Sequence, residues 1–379
     1  MNKPISLYIH IPFCRRKCSY CDFTSFAKPV EVQRAYIDSL IKEIDLWDEY
    51  ISDKGVSTVF IGGGTPSILE TQDLKRLLER ISKLRLSDEL EFSVECNPDS
   101  TDIEKLNIMR SYGVNRISFG LQSTREEELT LLRRTHDYET FLRSYEAAGK
   151  AGFSNINVDL MFALPKQSIE HHLSSLEKVV ALSPSHLSLY SLIVEENTLM
   201  KRWIDEKKLV LPSEDEYVDM YRRTIHYLKR NGFVQYEISN FSKPGYECIH
   251  NKRYWDRSEY LGLGISSASF LENRRYTSTD VLDEFLTSLR WTPEALHKIE
   301  PLSKEEVFEE TIFLGMRLNE GLSLDFLREK FHEFITDSFY STLDSLEKRN
   351  LIIRNDREII ALTQKGIEIS NQVFLELLL

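Results

Sequence analysis

The chain is poor in cysteine and in positive charge, and it lacks any long apolar run. Five cysteines among 379 residues exclude a disulfide-stapled secreted scaffold, and three of the five are crowded together where they cannot pair evenly. Lys and Arg number 48 against 60 Asp and Glu, a net charge of −12. That balance argues against nucleic acid as a partner, because phosphate is held by basic stripes. No apolar stretch approaches the roughly 18–20 residues that span a bilayer. The first residues are a short polar start leading into a strand, without signal or transit character. The expected location is therefore cytoplasmic. Internal repeats and low-complexity tracts are absent as well.

What is present is a length that suits two or three domains and 41% hydrophobic residues, enough for a sizeable core. Short apolar or β-branched runs fall at Leu7 to Ile11, Thr58 to Ile61, Glu91 to Glu95, Arg116 to Phe119, Ile156 to Met161 and His186 to Tyr190. Between them lie helical spacings over Val32 to Trp47, Thr71 to Leu84, Ile103 to Tyr112, Tyr138 to Ala151 and Ile169 to Leu182. This alternation predicts βαβ units on a parallel sheet. Six units predict an α/β fold that is an open, TIM-like partial (β/α)6 barrel over residues 1–200, rather than a closed eight-unit one. Residues 201–301 read as completion of the sheet plus a cap, with a helix over Asp215 to Arg230 and a loop rich in Gly, Asn and aromatics. Residues 302–379 read as a separate helical module. Helices over Lys304 to Leu318, Leu324 to Phe331 and Thr336 to Lys348 precede a hairpin from Leu351 to Leu362, the order of a winged helix. Its nine Lys and Arg against fifteen Asp and Glu disfavour DNA and favour a structural or partner-docking role.

Active sites of parallel α/β folds lie where strands end and βα loops begin. Cys14, Cys18 and Cys21, spaced C-x3-C-x2-C, follow the first strand. Gly62-Gly63-Gly64-Thr65-Pro66 follows the second, Glu95 ends the third, Gln122 follows the fourth, and Asp159 lies near the end of the fifth. Three thiolates can hold three irons of a [4Fe–4S] cluster and leave one iron open to a small molecule. The triplet alone leaves zinc open as well, although zinc would need a fourth ligand. The glycines could let the backbone approach a ligand, and Glu95 could bond ribose hydroxyls. Tyr20 could stack on adenine or simply pack beneath the loop. A second candidate is His250-Asn251-Lys252-Arg253-Tyr254-Trp255. A lone loop histidine is more often a surface residue, yet neutral imidazole is a common haem ligand. Lys252 and Arg253 could face propionates, with Tyr254 and Trp255 against the ring.

These segments carry a family resemblance: YIHIPFCRRKCSYCDF (8–23), GGGTPS (62–67), ECNPDS (95–100), SFGLQS (118–123), DLMFALPKQS (159–168), YEISNF (236–241) and HNKRYW (250–255). The chain resembles the radical S-adenosylmethionine (SAM) proteins of the oxygen-independent coproporphyrinogen oxidase family, and within it the HemW-type branch of haem chaperones. The resemblance implies a radical SAM barrel and a HemN-type C-terminal domain. It implies a [4Fe–4S] cluster on Cys14, Cys18 and Cys21. It implies SAM contacts from Tyr8, Gly63, Gly64, Thr65, Glu95, Gln122, Arg134 and Asp159, with Tyr20 in addition, and haem bound through His250. The implied partners are haem and haem-accepting respiratory proteins, with peripheral contact to membrane proteins. Decarboxylation of coproporphyrinogen III is the alternative reading. Phe23 stands where oxidases usually carry a further Cys, which favours the chaperone branch. Ala163 and Lys166 replace common glycines, and Ala268 stands where such chaperones often have His.

Overall fold

Side-chain character alternates along the strands of the N-terminal two hundred residues, and the alternation has two consequences for how the chain folds. A computed structural model describes residues 3–287 and 297–378. Its first part runs β1 (Ile5–Ile11), α1 (Val30–Leu46), α2 (Asp48–Lys54), β2 (Val56–Gly63), α3 (Thr71–Ile81), β3 (Leu86–Cys96), α4 (Ile103–Ser111), β4 (Arg116–Gln122), α5 (Glu126–Leu131), α6 (Tyr138–Lys150), β5 (Asn155–Phe162), α7 (Ile169–Ala181) and β6 (His186–Ser191). Ile5, Leu7, Ile9, Val59, Ile61, Phe92, Val94, Ile117, Phe119, Ile156, Val158, Leu187 and Leu189 form one face, buried in a single core under the helices. Each such side chain contributes roughly 1.5–3 kcal/mol by leaving water. The intervening residues form the inner face. They are Ser6, Tyr8 and His10 on β1, Thr58 and Phe60 on β2, and Glu91, Ser93 and Glu95 on β3. Arg116 and Ser118 on β4, Asn157 and Asp159 on β5, and His186 and Ser188 on β6 complete the set. The barrel is thus apolar outside and polar inside.

After α8 (Leu199–Asp205) and α9 (Glu214–Arg230) come β7 (Val234–Gln235), β8 (Asn240–Ser242), α10 (Ile249–Trp255), β9 (Tyr260–Leu263), β10 (Ala268–Leu271), β11 (Arg274–Ser278), α11 (Leu282–Thr287) and β12 (His297–Pro301). Twelve strands join in the order β12-β11-β10-β9-β1-β2-β3-β4-β5-β6-β8-β7. The central strands β1 to β6 are parallel, as the βαβ alternation requires. The short strands β7 to β12, which carry no strong periodicity, were not legible in advance. Because β8 lies at one flank and β9 beside β1, the connection between them must cross the barrel. It does so as α10, which fills the polar interior. His250 Nδ1 lies 2.8 Å from Thr58 Oγ1, and its ring stacks on Phe60 with centroids 5.1 Å apart. The expected loop around His250 is therefore a helix, and it lies inside the barrel rather than in a cap. Residues 288–296 of the expected 201–301 segment lie outside the described residues.

The C-terminal module continues with α12 (Lys304–Gly315), β13 (Leu322–Ser323), α13 (Leu324–Lys330), α14 (Asp337–Lys348), β14 (Ile352–Arg354), β15 (Ile359–Leu362), α15 (Gln364–Glu368) and α16 (Ser370–Leu377). It has its own core around Phe308, Ile312, Leu327, Leu343, Leu346, Ile360 and Val373, and a three-stranded sheet, β13-β15-β14. The module grips α10 directly. Arg317 lies 4.3 Å from the centre of the Trp255 ring, and Lys252 pairs with Glu320 at 3.0 Å. No helix among the described residues is long and apolar enough to cross a membrane.

Ala163 and Lys166, the two residues that replace common glycines, both have left-handed backbone, with φ of 56° and 64°. A side chain in that region costs roughly 1–2 kcal/mol. Lys166 is exposed, so Lys166→Gly removes strain with little loss of packing. The expected gain is about 0.5–1 kcal/mol after the greater freedom of unfolded glycine is counted. A higher midpoint for the first urea transition checks this; an unchanged or lower one contradicts it.

Candidate functional site

The C-terminal ends of β1 to β6 surround a cavity of about 530 Å³. Cys14, Cys18, Cys21, Tyr20, Gly63, Gly64, Thr65, Glu95, Gln122, Arg134 and Asp159 all line it. Tyr8 and His250 do not. Tyr8 sits one layer deeper, with its hydroxyl 3.0 Å from His10 Nδ1. His10 Nε2 faces the Thr24 carbonyl at 3.1 Å. A carbonyl can only accept, so Nε2 carries the proton and Tyr8 donates to Nδ1. His250 has its second nitrogen 2.9 Å from the Tyr254 hydroxyl and is buried. Both of its ring nitrogens are engaged by protein hydroxyls. Lys252 and Trp255, expected to face a porphyrin, instead join α10 to the C-terminal module, and only Asn251 of the segment reaches the cavity.

Arg134 ties the cavity wall together. Its Nη1 donates to Cys18 Sγ at 3.4 Å, and its Nη2 donates to Gly120 O at 2.6 Å and Asn97 Oδ1 at 3.2 Å. Cys14 Sγ lies 3.5 Å from Thr65 Oγ1. Gln122 has φ of 73°, which turns it off the end of β4, and its Oε1 accepts from Tyr190 at 2.7 Å. Glu95 Oε2 accepts from Gly63 N–H at 3.1 Å. Burial, with help from Asp159, pushes the Glu95 carboxyl up to about 7. Burial also raises Asp159, opposed by Asn157 and Ser188. The glycine run also meets a packing demand. A Cβ on Gly63 would lie 2.4 Å from the His10 ring, and one on Gly64 would lie 2.7 Å from Phe13 O. A side chain at either position would collide with β1 or the residues just after it.

Sequence reasoning missed the layer beneath, although period-two alternation marks it. Glu91 accepts from the backbone N–H groups of Ile249 and His250, both at 2.9 Å, capping α10 from another strand. Arg116 lies fully buried beside it. A directed chain of hydrogen bonds then runs up to the cavity. Cys248 N–H donates to Tyr236 Oη at 3.2 Å, and Tyr236 donates to His186 Nε2 at 2.8 Å. His186 Nδ1 donates to Asn157 Oδ1 at 2.6 Å, and Asn157 Nδ2 donates to Asp159 Oδ1 at 2.7 Å. Burial pushes His186 well below its usual range, so it is neutral and its single proton is fixed by this chain.

The donor set suits a polynuclear cluster better than one ion. Among the described residues, no three Cys, His, Asp or Glu side chains converge on a single metal position, yet the three free thiols share one cavity lip. Burial raises the thiols of Cys14 and Cys21, the latter to about 11, so ligation must expel their protons. A partial barrel with three cysteines after β1 and a polar cavity across β2 to β6 defines a radical SAM protein.

Comparison with known proteins agrees. The Radical SAM superfamily profile matches residues 8–179, and the HemN C-terminal domain profile matches residues 302–369. The chain is 38% identical to the heme chaperone HemW of Lactococcus lactis, covering 100% of this chain and 98% of that protein. It is 35% identical to the heme chaperone HemW of Bacillus subtilis, over 97% and 98% of the two. The solved structure of coproporphyrinogen III oxidase (HemN) from Escherichia coli superposes with a TM-score of 0.85 at 24% identity, covering 99% of this chain and 90% of that one; this likeness establishes the fold. The chain belongs to the HemW family.

Two outcomes follow. Replacing Cys14, Cys18 and Cys21 by Ala is expected to abolish iron and sulfide uptake on anaerobic reconstitution while the far-UV spectrum persists; retained stoichiometric iron would contradict the ligand set. Glu91→Ala leaves the N–H groups of Ile249 and His250 without their acceptor, and is expected to cost about 1–3 kcal/mol. A denaturation midpoint equal to that of the parent would refute the capping role.

Proposed function

We propose that this chain is a haem chaperone that binds haem and passes it to haem-accepting respiratory proteins, with a [4Fe–4S] cluster and SAM governing the transfer. The observation that carries the reading is the convergence of three thiols, the Gly63-Gly64-Thr65 turn, Glu95, Gln122, Arg134 and Asp159 on one cavity, in a chain aligned end to end with proteins named for haem delivery. When bound, the cluster supplies an electron to SAM chemistry. The chain's own contribution is positional. Arg134 fixes the Cys18 side of the lip, and Glu95 and Asp159 offer carboxylates to ligand hydroxyls. The chain ending at Asn157 holds Asp159 in one orientation. Neither His250 nor Tyr254 is free to meet a ligand, so we assign α10 the role of an internal joint and not of an iron ligand.

An anaerobic hemin titration of reconstituted protein tests the reading, with saturation expected near one haem per chain. Incubation with coproporphyrinogen III, SAM and a reductant is expected to give no decarboxylated product. Absence of saturable hemin binding, or appearance of that product, would overturn the chaperone reading. His250→Gln is expected to leave the Soret maximum in place, whereas a shifted band would restore His250 as the iron ligand.

A further inference from the structure

With α10 closed to ligands, the cavity mouth remains as a surface able to hold a large planar molecule. Phe23 follows the cysteine loop and is 61% exposed; Ile193 follows β6 and is 67% exposed. They come from segments far apart in the sequence, yet both line it, so they are not two unrelated surface residues. A large aromatic and a β-branched residue left in water at one opening are surfaces that a ligand would cover. Cations gather along one part of the same lip. Arg16 donates through Nε to Arg133 O at 2.9 Å and through Nη2 to Arg134 O, which holds the two segments side by side. Arg133 has left-handed backbone, φ 58°, and lines the cavity. Neither Arg133 nor the neighbouring, exposed Lys17 has a carboxylate partner among the described residues. Arg15 is committed to Asp99 at 3.3 Å. Asp22 and Glu195 also stand on the lip and would repel an anion, which leaves the Arg16–Arg133 side as the place for ligand carboxylates.

We infer that haem docks across the mouth of the cavity, its macrocycle against Phe23 and Ile193 and its carboxylates toward Lys17, Arg16 and Arg133. The inference rests on the haem-chaperone reading and supplies its binding site. An apolar planar molecule with two carboxylates matches both halves of the lip, whereas a small sugar or nucleotide would leave Phe23 and Ile193 wet. Haem seated there would also close the chamber below, so that whatever fills the chamber forms part of the haem's floor.

Hemin titrations of reconstituted protein test this, with the dimethyl ester of haem as a second probe. The double variant Phe23→Ser with Ile193→Ser is expected to weaken hemin about tenfold, the equivalent of partly burying two apolar side chains. Lys17→Gln with Arg133→Gln is expected to weaken hemin about fivefold at low salt while leaving the ester unchanged. Ile353→Ser, which removes an exposed apolar side chain on the C-terminal hairpin, is expected to have no effect. All four positions in the rim variants can be monitored for folding by cluster absorbance. Parent-like hemin binding by both rim variants would overturn the inference while leaving the chaperone reading intact. Equal weakening by Ile353→Ser would also overturn it, by showing adventitious adsorption to apolar surface. No saturable binding by the parent protein would overturn both.

Discussion

Glu91 accepts two backbone N–H groups from a helix that belongs to a different part of the chain, and it does so beside a fully buried guanidinium. This junction resolves a difficulty built into the barrel. Strands that point their apolar side chains outward leave Ser, Thr, Asn, His, Glu and Arg facing inward, and such groups cannot be left unpaired in a dry interior. Filling the interior with apolar side chains would strand them. Filling it with a helix N-terminus and polar side chains gives partners to Thr58, Glu91, Asn157 and His186 among them. The helix is short, so its seat depends on the carboxylate from β3 and on the contacts that Trp255 and Lys252 make with the C-terminal module.

The same arrangement shapes the site. Because α10 occupies the lower half of the barrel, ligand space is confined to the upper end, where the cysteine loop and the strand termini meet. Hydrogen bonds from Cys248 through Tyr236, His186 and Asn157 connect the start of α10 to Asp159. Asn157 Nδ2 donates to Ser118 Oγ as well as to Asp159 Oδ1, so the Asp159 carboxylate is tied through Asn157 to groups beneath the cavity. Displacement of α10 would break the chain at its first link. The C-terminal module, which holds α10 from outside, is therefore mechanically connected to the cavity, although it lines none of it.

Much of this was legible in the sequence, for reasons that can be named. The six parallel strands and their helices declared themselves through strong periodicity, and the motifs at strand ends fell on one face because βαβ topology requires it. Strands β7 to β12 have two to five residues each, too short for any period to register. The placement of HNKRYW inside the barrel is not legible, because a polar, aromatic segment resembles a loop when the polar interior that receives it is not yet in view. The alternation in R-I-S-F-G and N-I-N-V-D carried that information, but it reads equally well as a half-exposed strand. The His10 ring across the β1–β2 pair leaves no room for a Cβ at Gly63, and such a cross-strand clash becomes visible only once register is known.

A chaperone must hold its cargo tightly enough to carry it and loosely enough to release it. A haem ligated by a histidine deep in the barrel would be enclosed on every side, and its release would require α10 to leave Thr58, Phe60 and Glu91 together. Each of those contacts is modest alone, about 1 kcal/mol for a neutral hydrogen bond and more for the charged cap, but they act as a unit. A haem at the mouth has one face on the protein and one toward an acceptor, so transfer needs no such rearrangement. With haem docked at the mouth as inferred above, the buried histidine and the open lip would divide the labour. The interior segment gives the barrel its rigidity, and the exposed phenylalanine, isoleucine and arginines provide a surface that another protein can reach.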